Sequence, residues 1–123
     1  MKFKFPVQTK KLVNGKIKKQ KGFVDFDIDT SVASQMRYEI NFPDLAQHED
    51  LYGYSQRIRS IEGLTTAKIL SELKLLYCWI ETELSFIEFL KLIDLTDKEF
   101  VEDFTKAITN AFDLILNSSA EKN

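Results

Sequence analysis

The chain has 123 residues, 44% of them hydrophobic and 29% charged, which fits one domain, residues 1–123, built around one core and argues against a largely disordered chain. Its single cysteine, Cys78, excludes an internal disulfide framework, and the most apolar region, Ile69 to Leu95, is interrupted by seven charged residues where a membrane span needs about 20 apolar ones in a row. Net charge is only −2, but residues 1–22 hold eight of the 17 basic residues and none of the 19 acids, so that segment carries +8 and the remainder −10. No uninterrupted apolar stretch of the kind a secretory signal requires opens the sequence, so the cytoplasm is the expected location.

Lys2-Phe3-Lys4-Phe5 alternates polar with apolar as a half-buried strand does, and Pro6 suits an edge or a strand end because it cannot donate to a ladder. Asn14-Gly15, between Leu12-Val13 and Lys16-Ile17, is the strongest short-range signal for a two-residue hairpin, since both residues tolerate the positive φ of a type I′ turn. Val24, Phe26 and Ile28 then alternate with Asp25, Asp27 and Asp29. These signals predict a small antiparallel β-meander over residues 2–29, in which outward lysines of the early strands face outward aspartates of the last one. Lysine-rich edges also discourage strand-to-strand aggregation.

Residues 30–42 fit two readings. Val32, Met36, Tyr38, Ile40 and Phe42 follow a strand's alternation, while Thr30 can cap a helix carrying Ala33, Met36, Arg37 and Ile40; a helix is the expectation. Pro43 ends the element, and a short amphipathic segment with Leu51, Tyr54, Ile58 and Ile61 closes at Gly63. A well-marked helix follows Thr65 and runs to about Ile80. Two further helices open on the Ser-x-x-Glu and Thr-x-x-Glu capping spacing, at Ser85 with Glu88 and at Thr96 with Glu99. The last carries Phe100, Phe104, Ile108, Ala111 and Ile115 on one face to about Leu116, leaving 117–123 as a flexible tail. The expected class is therefore α+β, mostly α: a β-meander followed by a helical bundle over 30–116.

No motif carries catalysis. Cys78 lies in mid-helix within an apolar run, and His48, the only histidine, lies in a polar loop, so a nucleophilic pair would need distant segments to meet. Asp25-x-Asp27-x-Asp29 has the opening spacing of a calcium loop, but Thr30 stands where that loop needs glycine and Met36 where it needs glutamate. Gly15, Gly22, Gly53 and Gly63 are too scattered to cradle a phosphate. No catalytic, cofactor or metal residues are assigned.

What the residues do offer is a surplus of apolar surface. Leu73, Tyr77, Ile80, Leu84 and Ile87 form one set and Trp79, Phe86, Leu90 and Ile93 another, covering nearly every side of the middle helices. Such helices must be buried all round, either in a helical core centred on Trp79 or partly against another protein.

Several segments together carry a resemblance: the β-meander ending in Phe23-Val24-Asp25-Phe26-Asp27, Arg37-Tyr38-Glu39 with Asn41-Phe42-Pro43, Leu73-Lys74-Leu75-Leu76-Tyr77-Cys78-Trp79, Glu88-Phe89-Leu90-Lys91-Leu92, and the helix opening at Thr96-Asp97-Lys98-Glu99-Phe100. In these, over almost its whole length, the chain resembles the tail assembly chaperones of long-tailed, siphovirus-type bacteriophages of Gram-positive hosts. The resemblance implies a non-enzymatic, non-virion protein of the host cytoplasm that binds the tape measure protein, keeps it soluble and promotes gathering of the major tail (tube) protein around it. It also implies a longer form made by programmed frameshift, and Glu121-Lys122-Asn123 is compatible with an adenine-rich slippery sequence. The resemblance transfers no binding residues. On physical grounds Trp79, Phe86, Leu90 and Ile93, with Tyr77 and Phe89, are the candidate partner-binding residues, because aromatic and large aliphatic side chains dominate interface energies. Self-association through the same surface is a further expectation. The alternative is a small nucleic-acid-binding regulatory protein that uses the lysine-rich hairpin 10–21.

Overall fold

The structure, a computed structural model, describes residues 2–63 and 65–121, with side chains as far as Asn117. Its elements are β1 (Lys2–Val13), β2 (Lys16–Ile28), α1 (Val32–Asn41), α2 (Pro43–Ala46), α3 (Leu51–Arg59), α4 (Thr66–Trp79), β3 (Ile80–Glu81), α5 (Phe86–Leu90) and α6 (Lys98–Glu121). The class is α+β, mostly α, with a three-stranded antiparallel sheet in the order β1-β2-β3 and the helices after the hairpin. Asn14 at φ 52° and Gly15 at φ 77° make the two-residue turn with both central residues left-handed, as the dipeptide predicts.

The sheet differs from the expected meander. β1 and β2 fill the expected range 2–29 as two long strands, and the third strand lies outside it, being the dipeptide Ile80–Glu81, paired as Ile28↔Ile80 and Asp27↔Glu81. Two residues are too few to carry a period of two, so this strand could not be read from alternation. Residues 30–42 contain a helix, but its cap is Ser31 and not Thr30: the Ser31 hydroxyl accepts from the Ala33 N–H. At the start of α6 the cap is likewise Asp97 and not Thr96, with Asp97 Oδ1 accepting from the Phe100 N–H at 3.2 Å while Thr96 donates to Asp94 Oδ1. In both places adjacent capping residues compete, and one-residue ambiguity is intrinsic to the signal. α6 also continues to Glu121, through the first part of the expected tail; Lys122 and Asn123 lie outside the described residues.

The chain divides into two compact units, residues 27–86 and residues 2–26 with those from 87 onward. In the first, α1 and α3 pack on α4. α4 buries Ile69, Leu73, Leu75, Leu76, Tyr77, Cys78 and Trp79 against a core that includes Tyr38, Leu51, Tyr54 and Ile58. Such a helix ends among apolar groups, and its last carbonyls need donors. The Asp29 N–H gives one to Trp79 O at 2.8 Å, and Arg37 Nε gives one to Cys78 O at 3.1 Å while Arg37 also pairs with Asp29 Oδ2 at 2.7 Å. The Asp29 carboxyl is held down at about 2, first by hydrogen bonding from Ser31 and then by the Arg37 guanidinium.

In the second unit, β1 lies along α6. Phe100, Phe104, Ile108, Ala111 and Ile115 are all buried, as their spacing predicts, and Phe112 and Leu116 join them. Phe5 is the hub of an aromatic group, 5.9 Å from the Phe26 ring and 6.2 Å from that of Phe104, with Phe26 in turn 5.8 Å from Phe89. Further along β1, buried Gln8 donates from Nε2 to Asp94 Oδ2 and Asp97 Oδ2, each at 2.9 Å, and its backbone N–H reaches Leu92 O.

Stability measurements on two variants test these accounts. Arg37→Ala, which leaves Cys78 O without its donor, is expected to lower unfolding free energy in urea titration by about 2 kcal/mol, the scale of a charge-assisted hydrogen bond. The folded-state Asp29 value lies below the ordinary 3.8, so its contribution is complete above about pH 4 and is lost as pH falls toward 2; Arg37→Ala flattens that acid limb in part, since the Ser31 hydrogen bonds to Asp29 remain. Gln8→Glu sets a third carboxylate against Asp94 and Asp97 and is expected to lower the melting temperature more at pH 7 than at pH 4. An equal effect at both values refutes the charge argument.

Candidate partner-binding surfaces

Trp79, Tyr77 and Phe89 do not present themselves to a partner. Trp79 is buried, its Nε1 donating to Ser55 Oγ at 3.0 Å, and that hydroxyl donates to Leu51 O at 2.7 Å, so the indole is fixed between α3 and α4. The buried Tyr77 donates its hydroxyl to Leu84 O at 2.6 Å and lies 5.3 Å from the Phe86 ring. Phe89 is enclosed beside Phe26. Burial satisfies the large side chains first, and these three are core residues. Phe86, Leu90 and Ile93 are half-buried; Phe86 packs edge-on against Phe42 at 5.0 Å.

The open apolar surface lies elsewhere. On α1, Val32, Met36 and Ile40 are 78%, 56% and 73% exposed, and their i, i+4, i+8 spacing places them in one stripe along the helix. The buried side of α1 is instead made by Ser34 and Tyr38, where the tyrosine hydroxyl donates to Glu49 O at 3.1 Å and its ring stacks on Tyr54. Hydrophobicity alone places Met36 and Ile40 inside. The missed signal is the identity of the inward pair: a small serine allows close approach and a tyrosine reaches a backbone acceptor, while three aliphatic side chains remain outside.

The second surface is the hairpin. Residues 10–21 are exposed on both sides of the two strands and carry six lysines, no acid, no arginine and no aromatic. The expected lysine–aspartate pairing across the strands does not occur: among the described residues no hairpin lysine pairs with Asp25 or Asp27. Lys19 Nζ instead meets Asp97 Oδ2 at 2.8 Å, and Lys10 approaches Asp94 Oδ2 at 3.7 Å and the Thr96 hydroxyl. Asp94 and Asp97 both titrate well below the usual carboxylate range: Thr96 hydrogen bonding is the main cause at Asp94 and the Lys19 hydrogen bond at Asp97. Near the base of the arm, Pro6, Val7, Gln8, Lys21, Gly22 and Phe23 line a groove of about 380 Å³ with Glu99, Phe100 and Asp103 of α6. Phe23 is 68% exposed there, with Lys4 Nζ 5.7 Å from its ring centroid.

Cys78 is fully buried, and burial pushes its thiol up to about 12 against the opposing influence of Arg37. The cation is close, but it is spent on the Cys78 carbonyl. His48 is exposed, and Asp29 of the Asp-x-Asp-x-Asp run is engaged with Arg37. Among the described residues no three histidine, cysteine or acidic side chains are grouped to hold a metal, and no helix is long and apolar enough to cross a membrane.

No protein-family model, curated protein or solved structure matches the chain.

The thiol gives a direct check on the buried α4 end. Cys78 is expected to resist a disulfide reagent in buffer at pH 8 and to react fully in denaturant, with native-state reaction accelerated at least tenfold by Arg37→Ala as the helix end opens more often.

Proposed function

We propose that this protein is a tail assembly chaperone of long-tailed bacteriophages. It binds the tape measure protein in the host cytoplasm, holds that protein's apolar helical surface in solution, favours assembly of tail-tube subunits around it and is left out of the finished virion. The reading draws on the resemblance of the quoted segments, and the observation that carries it is the open stripe Val32, Met36 and Ile40 on α1. Three aliphatic side chains at helical spacing on a short, well-anchored helix are the form of surface that seats an apolar ridge of another helix. The anchors are accordingly these three; Trp79, Tyr77 and Phe89 hold the fold, and the half-buried Phe86, Leu90 and Ile93 are not assigned to this stripe.

The nucleic-acid reading is favoured by one observation, the exposed lysine-rich arm 10–21. Against it, Lys10 and Lys19 already meet aspartates, and the arm offers no arginine to read a base edge and no aromatic ring to stack on one. It calls for affinity that falls steeply with salt.

Co-expression with the tape measure protein of the same tail genes tests the proposal. The partner is expected in the soluble fraction with the wild-type chain, and Met36→Asp with Ile40→Asp is expected to weaken the complex by about 2 kcal/mol, some 30-fold. Both positions are exposed, so circular dichroism and Trp79 fluorescence should be unchanged. A partner equally insoluble with and without the chain defeats the proposal, while solubilisation that survives the double substitution defeats the assignment to α1.

A further inference from the structure

β2 has one edge occupied by β1, while its other edge is met by β3 only at Asp27 and Ile28. From Lys16 to Phe23 no strand, among the described residues, lies along that other edge. A row of backbone N–H and C=O groups of this kind is a template for one more strand. Its side chains state which strand it admits. Lys16 and Lys18 share one face and Ile17, Lys19, Lys21 and Phe23 the other, with Ile17 70% and Phe23 68% exposed.

A second copy of β2 is a poor occupant, because pairing this edge with itself sets lysines beside lysines. Duplex nucleic acid would meet the lysines and leave Ile17 and Phe23 without apolar partners. An extended peptide segment satisfies backbone, charge and apolar groups together, provided it is acidic beside Lys16 and Lys18 and apolar where it reaches the Phe23–Phe100 groove. Glu99 and Asp103 line that groove and disfavour a further acid there.

The geometry points to the Lys16–Phe23 edge of β2 as a docking site for an extended segment of another protein, acidic at one end and apolar at the other, which adds a strand to the sheet. This goes beyond the chaperone reading, since it concerns a different surface and an extended rather than helical ligand.

The probe is a fluorescein-labelled ten-residue peptide alternating Glu with Val through one half and Thr with Val through the other, made in both orders because strand addition can run in either direction. Binding by anisotropy is expected for one order, with slowed amide exchange confined to residues 16–23. Replacing Glu by Lys in the peptide, or Lys16 and Lys18 by Glu in the protein, should weaken it at least tenfold. N-methylation of alternate peptide amides facing β2 should do the same, because it removes ladder hydrogen bonds and leaves charge untouched. Equal binding of the N-methylated peptide overturns the proposal in favour of simple charge attraction. So does tighter binding of a 20-base-pair DNA duplex, or no binding by either peptide order, which leaves the lysines as guards of the edge alone. Each of these failures leaves the tape-measure test unaffected, since that test is read through Met36 and Ile40.

Discussion

A helix that is apolar on nearly every side can end inside a protein only if its final carbonyls find donors. α4 is such a helix, and its end is closed by the Asp29 N–H on Trp79 O and by Arg37 on Cys78 O. One guanidinium thereby ties three pieces of chain: α1, which carries it, the end of β2, through Asp29, and the end of α4. The orientation of α1 follows from the same contacts. With Arg37 turned to the α4 terminus and Tyr38 to the Glu49 carbonyl, the Val32–Ile40 side is left facing outward. The surface proposed to hold a partner is in this sense set by the need to finish a buried helix.

The sequence was informative where one physical effect dominates. Asn14-Gly15 has few uses other than a tight hairpin, and the Phe100-to-Ile115 spacing on α6 leaves one buried face. It was less informative where neighbouring residues compete for one role. Ser31 displaced Thr30 and Asp97 displaced Thr96 because either of two adjacent polar side chains can cap, and the surrounding contacts choose. At the candidate surface, periodicity misled for a definite reason. The middle helices hold the most apolar residues, and their aromatic side chains are largely enclosed, so Trp79 and Phe89 became core while Ile87 stays 62% exposed. Exposed apolar area was left on the more polar-looking α1, where a serine and a tyrosine supply the inward contacts.

Charge tells a related story. The +8 of the first 22 residues suggested lysines answered by aspartates on the next strand, yet the acids that answer them lie some 80 positions further on, at Asp94 and Asp97. Gln8 between those two carboxylates helps to explain the choice, because its amide gives both acids a donor and draws them to the hairpin's base. Among the described residues only Lys10 and Lys19 of the hairpin meet these acids. Lys11, Lys16 and Lys18 stand exposed on the strands, where they either deter unwanted pairing or select what may pair.

The arrangement of the two compact units in the sequence bears on how the protein is made. Residues 27–86 are continuous and can collapse as they leave the ribosome, whereas Phe5 needs Phe104, about 100 residues later. At some 5–20 residues per second, the first strands wait roughly 5–20 s for the helix that covers them. During that interval the hairpin is a nascent ribbon with its phenylalanines uncovered, in a crowd of other unfinished chains. Its density of like charge disfavours pairing between such ribbons over that interval.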